Sequence, residues 1–512
     1  MTLPIRDRRE PPDESRPTAL RLSQLGLFGI AVFIALVMSQ PFRFSDPSYF
    51  YFDDFFYYLV PARSFLATGT FSFHPAVPTN GFQPLWMVIV ASALAMSAHH
   101  ALAFYVLLNA IIAALFVFSF YQATTLLREG GASRTLQAAG GVLVAALQLE
   151  IATTGMEVAL TTPLLLWLTR KVLARSLSEM RPRALAGIGL LGSGVILSRL
   201  DAAVLLLPLA VALVWTDRPK PSAFGWLAIG ALPLWAYGIT SYVLSGSALP
   251  ISGHAKMLKG LTWPTLHPLE PLALELGRYA VVSPVAFLVV FALAAFAPAK
   301  ADADGRARTL INAGFIGVLA YYAAYCFLTD WRLWFWYKYP LAWLCVLGCL
   351  KMASGARRSV EIVTLGIATL LMIVAIRIMI PRTPSSNWIY GHARAIAEFE
   401  KTHPGNYAMG DCAGTAAYLL PSPVLQTEGL VGDAAFLEHV RKRLPLRALL
   451  ETYGIDYYAA VGAEMHDGCY ALREPAMAGP ASPTMIGRVC SAPLLHRDGP
   501  LALDVFRVAD VE

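Results

Sequence analysis

The sequence predicts an α-helical polytopic membrane protein of about eleven transmembrane helices, with outer juxtamembrane helices and a small C-terminal α/β exterior domain. Three observations carry this. The 512 residues are 56% hydrophobic and only 14% charged, with a mean hydropathy of +0.55, against roughly 45–50% apolar and 25% charged in a soluble domain. Apolar runs approach the roughly 20 residues needed to cross the hydrocarbon core, and several are bounded by Arg and Lys clusters. Beyond about Asn387 the pattern changes to short apolar runs ended by Gly, Asp and Pro.

Taken in order, the segment after Thr18 stays apolar to Met38 without a small-residue cleavage site, so the first span reads as a retained anchor. Spans are expected at 22–39, 101–127, 136–152, 158–174, 184–199, 202–216, 223–243, 279–298, 309–328, 337–352 and 359–380. The stretch 83–98, "QPLWMVIVASALAMSA", looks long enough as well. Basic loops decide its status: Arg6/Arg8/Arg9, Arg128/Arg134, Arg170/Lys171/Arg175/Arg181/Arg183, Arg218/Lys220, Lys300/Arg306/Arg308 and Lys351/Arg357/Arg358 share the cytoplasmic side only if 40–127 crosses once. The 83–98 helix is therefore expected to lie on or dip into the outer surface. The N-terminus is then cytoplasmic. Residues 40–100, 151–157, 199–201, 244–278, 329–336 and everything after Pro381 face outward.

Residues 1–382 read as the transmembrane domain, with the exterior loop at 40–100, and 383–512 as the exterior domain. In that tail "NYAMGDCAGTAAYLL", "PVLQTEGLVGD" and "GIDYYAAVGAE" alternate with the helical pattern "AAFLEHVRKRLPLRALLETYG". Cys326, Cys345 and Cys349 fall in or near spans, Cys412, Cys469 and Cys490 in the tail. Cys469 and Cys490 pair in an oxidising compartment or remain two free thiols. The net charge of +6 is the usual cytoplasmic excess of Arg and Lys. No basic patch or reader motif points to nucleic acid.

The unusual polar residues gather on the outer side: Asp53, Asp54, Glu157, Arg199, Asp201, His254, Lys256, Asp330, Arg332 and Lys338. Ionisable groups at a membrane boundary are expensive, so their convergence points to a site. "YFDDFFYYL" sets two carboxylates side by side among aromatic residues. Burying both as isolated charges costs far more than a loop recovers, so they need water, cations or a chemical role.

These residues carry a resemblance. "YFDDFFYYLVPARSFLATGTFSF" followed by "PTNGFQPLW" resembles the first exterior loop of bacterial integral-membrane glycosyltransferases of the GT-C superfamily, which includes arabinofuranosyltransferase and protein mannosyltransferase-like enzymes. "TTGMEVAL", "SRLDA" and "GSALPISGHAKM" are similar to later family segments, with Leu200 in place of a usual Pro and Ser252, Gly253 and His254 departing from the pattern. The resemblance implies a GT-C-like catalytic domain over 1–382 at the outer face of the bacterial cytoplasmic membrane. It implies a polyprenyl-phosphate sugar donor, an acceptor hydroxyl on a lipid, glycan or protein, and contact with membrane lipids. It also places Asn80 and Glu157 among the substrate-binding residues.

The chemistry asks for similar parts. An acceptor hydroxyl must lose its proton while the lipid phosphate is held and both are aligned. Asp53 is expected as base, with Asp54 orienting it or binding acceptor; the plain alternative is that both only cap a helix. Lys256 and Arg332 are candidate phosphate ligands, and either also reads as a snorkelling cation. Lys338 lies among Trp331, Trp334 and Trp336, which read as an interfacial belt. Arg199 and Asp201 either pair across a turn or join the site, and His254 is a weaker candidate. Asp53, Asp54 and Glu157 are able in principle to hold a divalent ion, but no cofactor or metal is expected, because Lys and Arg suffice for a monophosphate leaving group. A transporter or flippase of lipid-linked glycans is the competing class. It predicts internal repeats and midplane charges, whereas here no repeat is evident and the charges lie at one face. An inactive scaffold of the same shape is the third reading.

Overall fold

The computed structural model describes residues 16–270, 305–353, 355–379 and 382–512. The span expected at 279–298, Lys300 and Arg6, Arg8 and Arg9 lie outside the described residues. Among the described helices, five are long and apolar enough to cross a membrane. They include Ala101–Glu129, Arg134–Thr153, Gly305–Leu328 and Arg358–Met379, with a fifth near the N-terminus. Helices Pro221–Gly230 and Leu232–Ser245, expected as one span, are bent by 60° at a short break, with Pro233 just inside the second. A proline there removes a backbone donor and clashes with the preceding turn. The chain is a multi-pass membrane protein. Helix Pro84–Met96 has 13 residues and reaches about 20 Å, short of the roughly 30 Å hydrocarbon core.

The pair of carboxylates opens helix Asp53–Thr68, which starts after extended Phe52 and stops at left-handed Gly69, whose N–H bonds the Phe65 carbonyl. Gly supplies that conformation at no Cβ cost. Its aromatic face packs on the turn before helix Val158–Ala174. Gly155 in that turn has φ +89°, and a Cβ there would stand 2.6 Å from the Phe55 ring. Trp86 from the short helix donates to the Gly155 carbonyl at 2.9 Å. Close packing of these three elements therefore requires glycine at 155.

The tail folds into a five-stranded mixed sheet in the order Val424–Gln426, Tyr407–Met409, Tyr457–Val461, Leu503–Arg507, Leu495–Arg497. The first three strands are parallel, with Tyr407 opposite both Val424 and Tyr457, and the last two are antiparallel additions. A separate antiparallel sheet joins Glu464–His466, Cys469–Glu474 and Met485–Val489. Cys469 and Cys490 form a disulfide beside it, and the other four cysteines are buried thiols.

This tail is not a separate bead. Tyr57, Phe73, Ile251, Ala255 and Trp331 share one apolar cluster with Ala408, Leu425, Phe436 and Val505. Loop 477–481 is fastened to residue 330, where the Asp330 carboxylate accepts from the Ala481 N–H at 2.7 Å and its carbonyl accepts from Gly479 at 2.8 Å. The expected tryptophan belt is corrected here: Trp331 and Trp336 are buried in protein, and only Trp334 reaches the surface. The tail sheet thus packs against residues that lie between the apolar helices.

Candidate functional site

At the helix start the two carboxylates part company, because side chains of helical neighbours point about 100° apart. Asp53 is buried and turned to the tail. Its Oδ1 accepts from the Thr415 N–H at 2.6 Å and the Thr415 hydroxyl at 2.8 Å, and its Oδ2 accepts from the Gly414 N–H at 3.0 Å. These donors open helix Ala413–Leu419. Burial raises the Asp53 pKa, and the bonds from Thr415 and Gly414 pull against that rise. Both oxygens are committed, so the expectation of Asp53 as base gives way to a different assignment below.

Asp54 accepts no hydrogen bond among the described residues. Burial, then the adjacent Asp53 charge, push its pKa well above its ordinary value, while Lys256 counteracts them. Lys256 lies on the short helix Ile251–Lys256 and donates to the Tyr337 hydroxyl at 2.8 Å. Burial works against its charge, but Tyr337 and Asp54 outweigh that, and its pKa is raised. A partly buried acid and an ammonium thus lie within electrostatic reach of each other.

Behind Tyr337 stands Arg199, 2% exposed, with its guanidinium 4.5 Å from the Tyr337 ring centroid. It donates to Glu157 Oε1 at 2.6 Å and to both oxygens of Asp201 at 3.0 and 2.6 Å. The two carboxylates are held further by hydroxyls: Glu157 accepts from Tyr58 at 3.0 Å, and Asp201 from Tyr321 at 2.9 Å and Tyr325 at 2.6 Å. Arg199 and Asp201 therefore pair across their turn and belong to the buried frame as well. A planar guanidinium suits this three-way arrangement where a lysine would not.

Lys338 points elsewhere. Its Nζ lies 3.6 Å from Glu150 Oε2, and Arg382 lies 3.8 Å from Glu150 Oε1. Arg382 also donates to the Phe50 carbonyl at 3.1 Å and covers the Phe52 ring at 4.5 Å, so this second cationic group sits beside the residue preceding Asp53. Arg332 is exposed, and its side chain makes no hydrogen bond among the described residues. It is not brought to the cluster. Asn80 ties exterior segments together, donating to Ser241 and Ser245 at 3.0 and 2.8 Å and accepting from Ile251 N–H at 2.9 Å. His254 bonds Ser247 at 2.7 Å on the side of its helix that lines a separate cavity.

Sequence reasoning missed the contribution of the tail. Asp411 and Glu428 lie within electrostatic reach of Asp54, and Glu474 within that of Glu428. Burial lifts Asp411 to about 6 and Glu474 to about 7. Asp411 and Glu428 sit in "GDCAG" and "QTEG", short runs of the tail in which nothing local marks them as neighbours of residue 54. Glu150, Tyr337, Arg382 and Thr415 had no distinguishing signal either. Among the described residues no group of three His, Cys, Asp or Glu side chains is placed to hold a metal ion.

No family model matches the chain, and no curated protein matches it by sequence. Solved structures do match. The chain is similar to ArnT from Cupriavidus metallidurans, bound there to undecaprenyl phosphate, at 11% identity over 88% of this chain and 94% of that one, with a TM-score of 0.52. It is also similar to the oligosaccharyltransferase AglB from Archaeoglobus fulgidus, solved with an inhibitory peptide and a dolichol-phosphate, at 10% identity over 86% of this chain and 70% of that one, with a TM-score of 0.50. The chain has the fold of these GT-C membrane glycosyltransferases.

Proposed function

We propose, from that shared fold, that this protein is a glycosyltransferase that moves a sugar from a polyprenyl-phosphate donor to an acceptor hydroxyl, with Asp54 as general base. The reaction space lies at the outer face of a bacterial cytoplasmic membrane, and the acceptor is a lipid, glycan or protein. One observation carries the assignment: Asp54 alone of the pair keeps its carboxylate unbonded, partly buried and opposite an ammonium. A carboxylate with a raised pKa is a stronger base near neutral pH.

In the proposed step the acceptor oxygen bonds to the anomeric carbon as its proton passes to Asp54, while the bond from that carbon to the phosphate oxygen breaks. The polyprenyl phosphate leaves with the electron pair. Lys256 is placed to stabilise the phosphate charge. Asp53 acts as a positioning residue, and Glu157, Arg199 and Asp201 hold Tyr337 under Lys256. Lys338 and Arg382 supply further positive charge beside Phe52. No cofactor is needed, and activity is expected to survive EDTA; loss that is restored only by Mn²⁺ or Mg²⁺ would overturn the metal-free part.

The test is sugar transfer from a purified polyprenyl-phosphate sugar in nanodiscs, with donor binding measured alongside. Asp54→Asn is expected to lose roughly 10²–10⁴ in rate with donor binding retained. Lys256→Ala is expected to weaken donor binding as well as turnover, because phosphate is present in both ground and transition states. Normal turnover by Asp54→Asn would sink the assignment.

A further inference from the structure

A second cavity, of about 700 Å³, lies at the far end of the helix that begins with the two carboxylates. Phe65 and Gly69 line it there, and from Asp54 to Phe65 the helix rises about 16 Å. The short helix Ile251–Lys256 separates the two spaces. Its Lys256 reaches toward Tyr337, while Ile251 and His254 line the cavity. Neither the fold comparison nor the proposed step uses this cavity.

Its walls come from both apolar helices and the tail. Met87, Val88 and Leu244 belong to apolar helices, and residues 432–435 belong to the tail. Phe71 and Phe82 supply aromatic faces. Five side-chain polar atoms of lining residues make no hydrogen bond among the described residues: the Thr70, Tyr237 and Thr240 hydroxyls, His254 Nδ1 and Asp433 Oδ2. None of the described residues lining the cavity is Lys or Arg. A phosphate or other anionic headgroup would therefore find no counter-charge, and Asp433 would repel it. Hydroxyl, imidazole and carboxylate partners set among aromatic rings instead fit a ligand with many hydroxyls and apolar ring faces.

We infer that this cavity binds a neutral saccharide unit of the acceptor, remote from the hydroxyl that reacts at Asp54. The inference rests on the glycosyl-transfer reading and narrows the acceptor to an extended glycan that spans from Asp54 to Phe65, with the apolar wall open to a lipid tether. Binding energy from such a remote unit positions the reacting hydroxyl, so a truncated acceptor loses turnover as well as affinity.

The experiment uses full-length protein in nanodiscs free of sugar-headed detergent. Saturation-transfer NMR is recorded with methyl glycosides of glucose, mannose, galactose and arabinofuranose and their disaccharides, and undecaprenyl phosphate binding is measured on the same samples. At least one neutral glycoside is expected to bind in the millimolar range, and Thr240→Trp, which fills the cavity, and His254→Ala are each expected to weaken it by about tenfold or more. Undecaprenyl phosphate binding and the melting temperature are expected to stay unchanged in both variants, which shows that they are folded. Absence of glycoside binding up to about 100 mM, or binding unaffected by Thr240→Trp in a folded protein, overturns the inference. Competition of glycosides by undecaprenyl phosphate overturns it too, since the cavity would then belong to the donor. Glycoside binding without any undecaprenyl phosphate binding instead removes the glycosyl-transfer reading and leaves the saccharide site standing.

Discussion

The Asp53 carboxylate is joined to Thr415 through both the backbone N–H and the side-chain hydroxyl, at 2.6 and 2.8 Å, across 362 positions of sequence. This contact fixes the start of helix Asp53–Thr68 to the start of helix Ala413–Leu419. An ionised carboxylate at a helix N-terminus meets unsatisfied donors and a favourable dipole. Together with the Gly414 N–H, the same contact occupies both oxygens of Asp53, whereas Asp54 accepts no hydrogen bond among the described residues.

Breaking that joint is expected to loosen the tail. Thr415→Val removes one of three bonds and keeps the shape, and Asp53→Ala removes all three, leaving the Gly414 and Thr415 N–H groups unpaired. Costs of about 1–3 kcal/mol follow for an unsatisfied buried group. Thermal unfolding and limited proteolysis of the linker near residue 383 would register it, with Asp53→Ala the more severe. Equal stability of Asp53→Ala and the parent protein would show that the contact contributes nothing.

Arg199 is expected to matter more to folding than to donor affinity. Arg199→Met leaves Glu157 and Asp201 buried without their shared cation, a change that costs about 3–5 kcal/mol when one partner of a buried ion pair is removed. Lys256→Ala is expected to cost far less stability and more donor affinity. Melting temperature and donor binding measured on both variants separate the two roles, and a reversal of the order would mean that the frame and the phosphate ligand have been exchanged.

Glu474 gives a pH signature to the tail. Burial raises its folded-state pKa from 4.5 to about 7, so the folded state holds the proton more tightly than the unfolded chain. Its stabilising contribution is fully present below about pH 4.5 and is lost as pH rises through about 7. Asp411, lifted to about 6, acts in the same direction. Melting temperature followed from pH 4.5 to 8 is expected to fall across this window, and Glu474→Gln is expected to flatten the fall. A parent protein whose stability rises through the window would contradict the sign.

Sidedness is testable by impermeant thiol labelling of intact cells. The native free cysteines are buried, so background is low. Cysteines replacing Ala98 and Asp498, both exposed, are expected to label from outside, and one replacing exposed Arg128 is expected to be protected. Labelling of the residue 128 site would make 83–98 a full crossing and undo the common outer face.

What was legible in the sequence is what depends on local pattern. Composition and run length separated membrane helices from the α/β tail, because a bilayer demands about 20 apolar residues in a row whatever their neighbours. Loop charges set 83–98 apart from the other apolar runs, and Cys469 and Cys490 were open to either a disulfide or two free thiols, of which the fold shows the disulfide. "DDFF" announced two acids at a helix start, and Arg199 with Asp201 announced a pair across a turn.

Only the tertiary structure set the two acids apart. Asp53 and Asp54 are indistinguishable by composition, and their difference comes from Gly414 and Thr415, donors from another part of the chain. Lys338 and Arg332 looked alike as cations in one segment, yet one meets Glu150 and the other solvent. Asp411 and Glu428 gained their relation to Asp54 only when the tail packed over the exterior loops. The sequence by itself determined the solvent of each segment, since hydropathy is a property of residues counted along the chain. It left open the partner of each polar group, since hydrogen bonds and desolvation are set by whatever packing brings within about 3 Å.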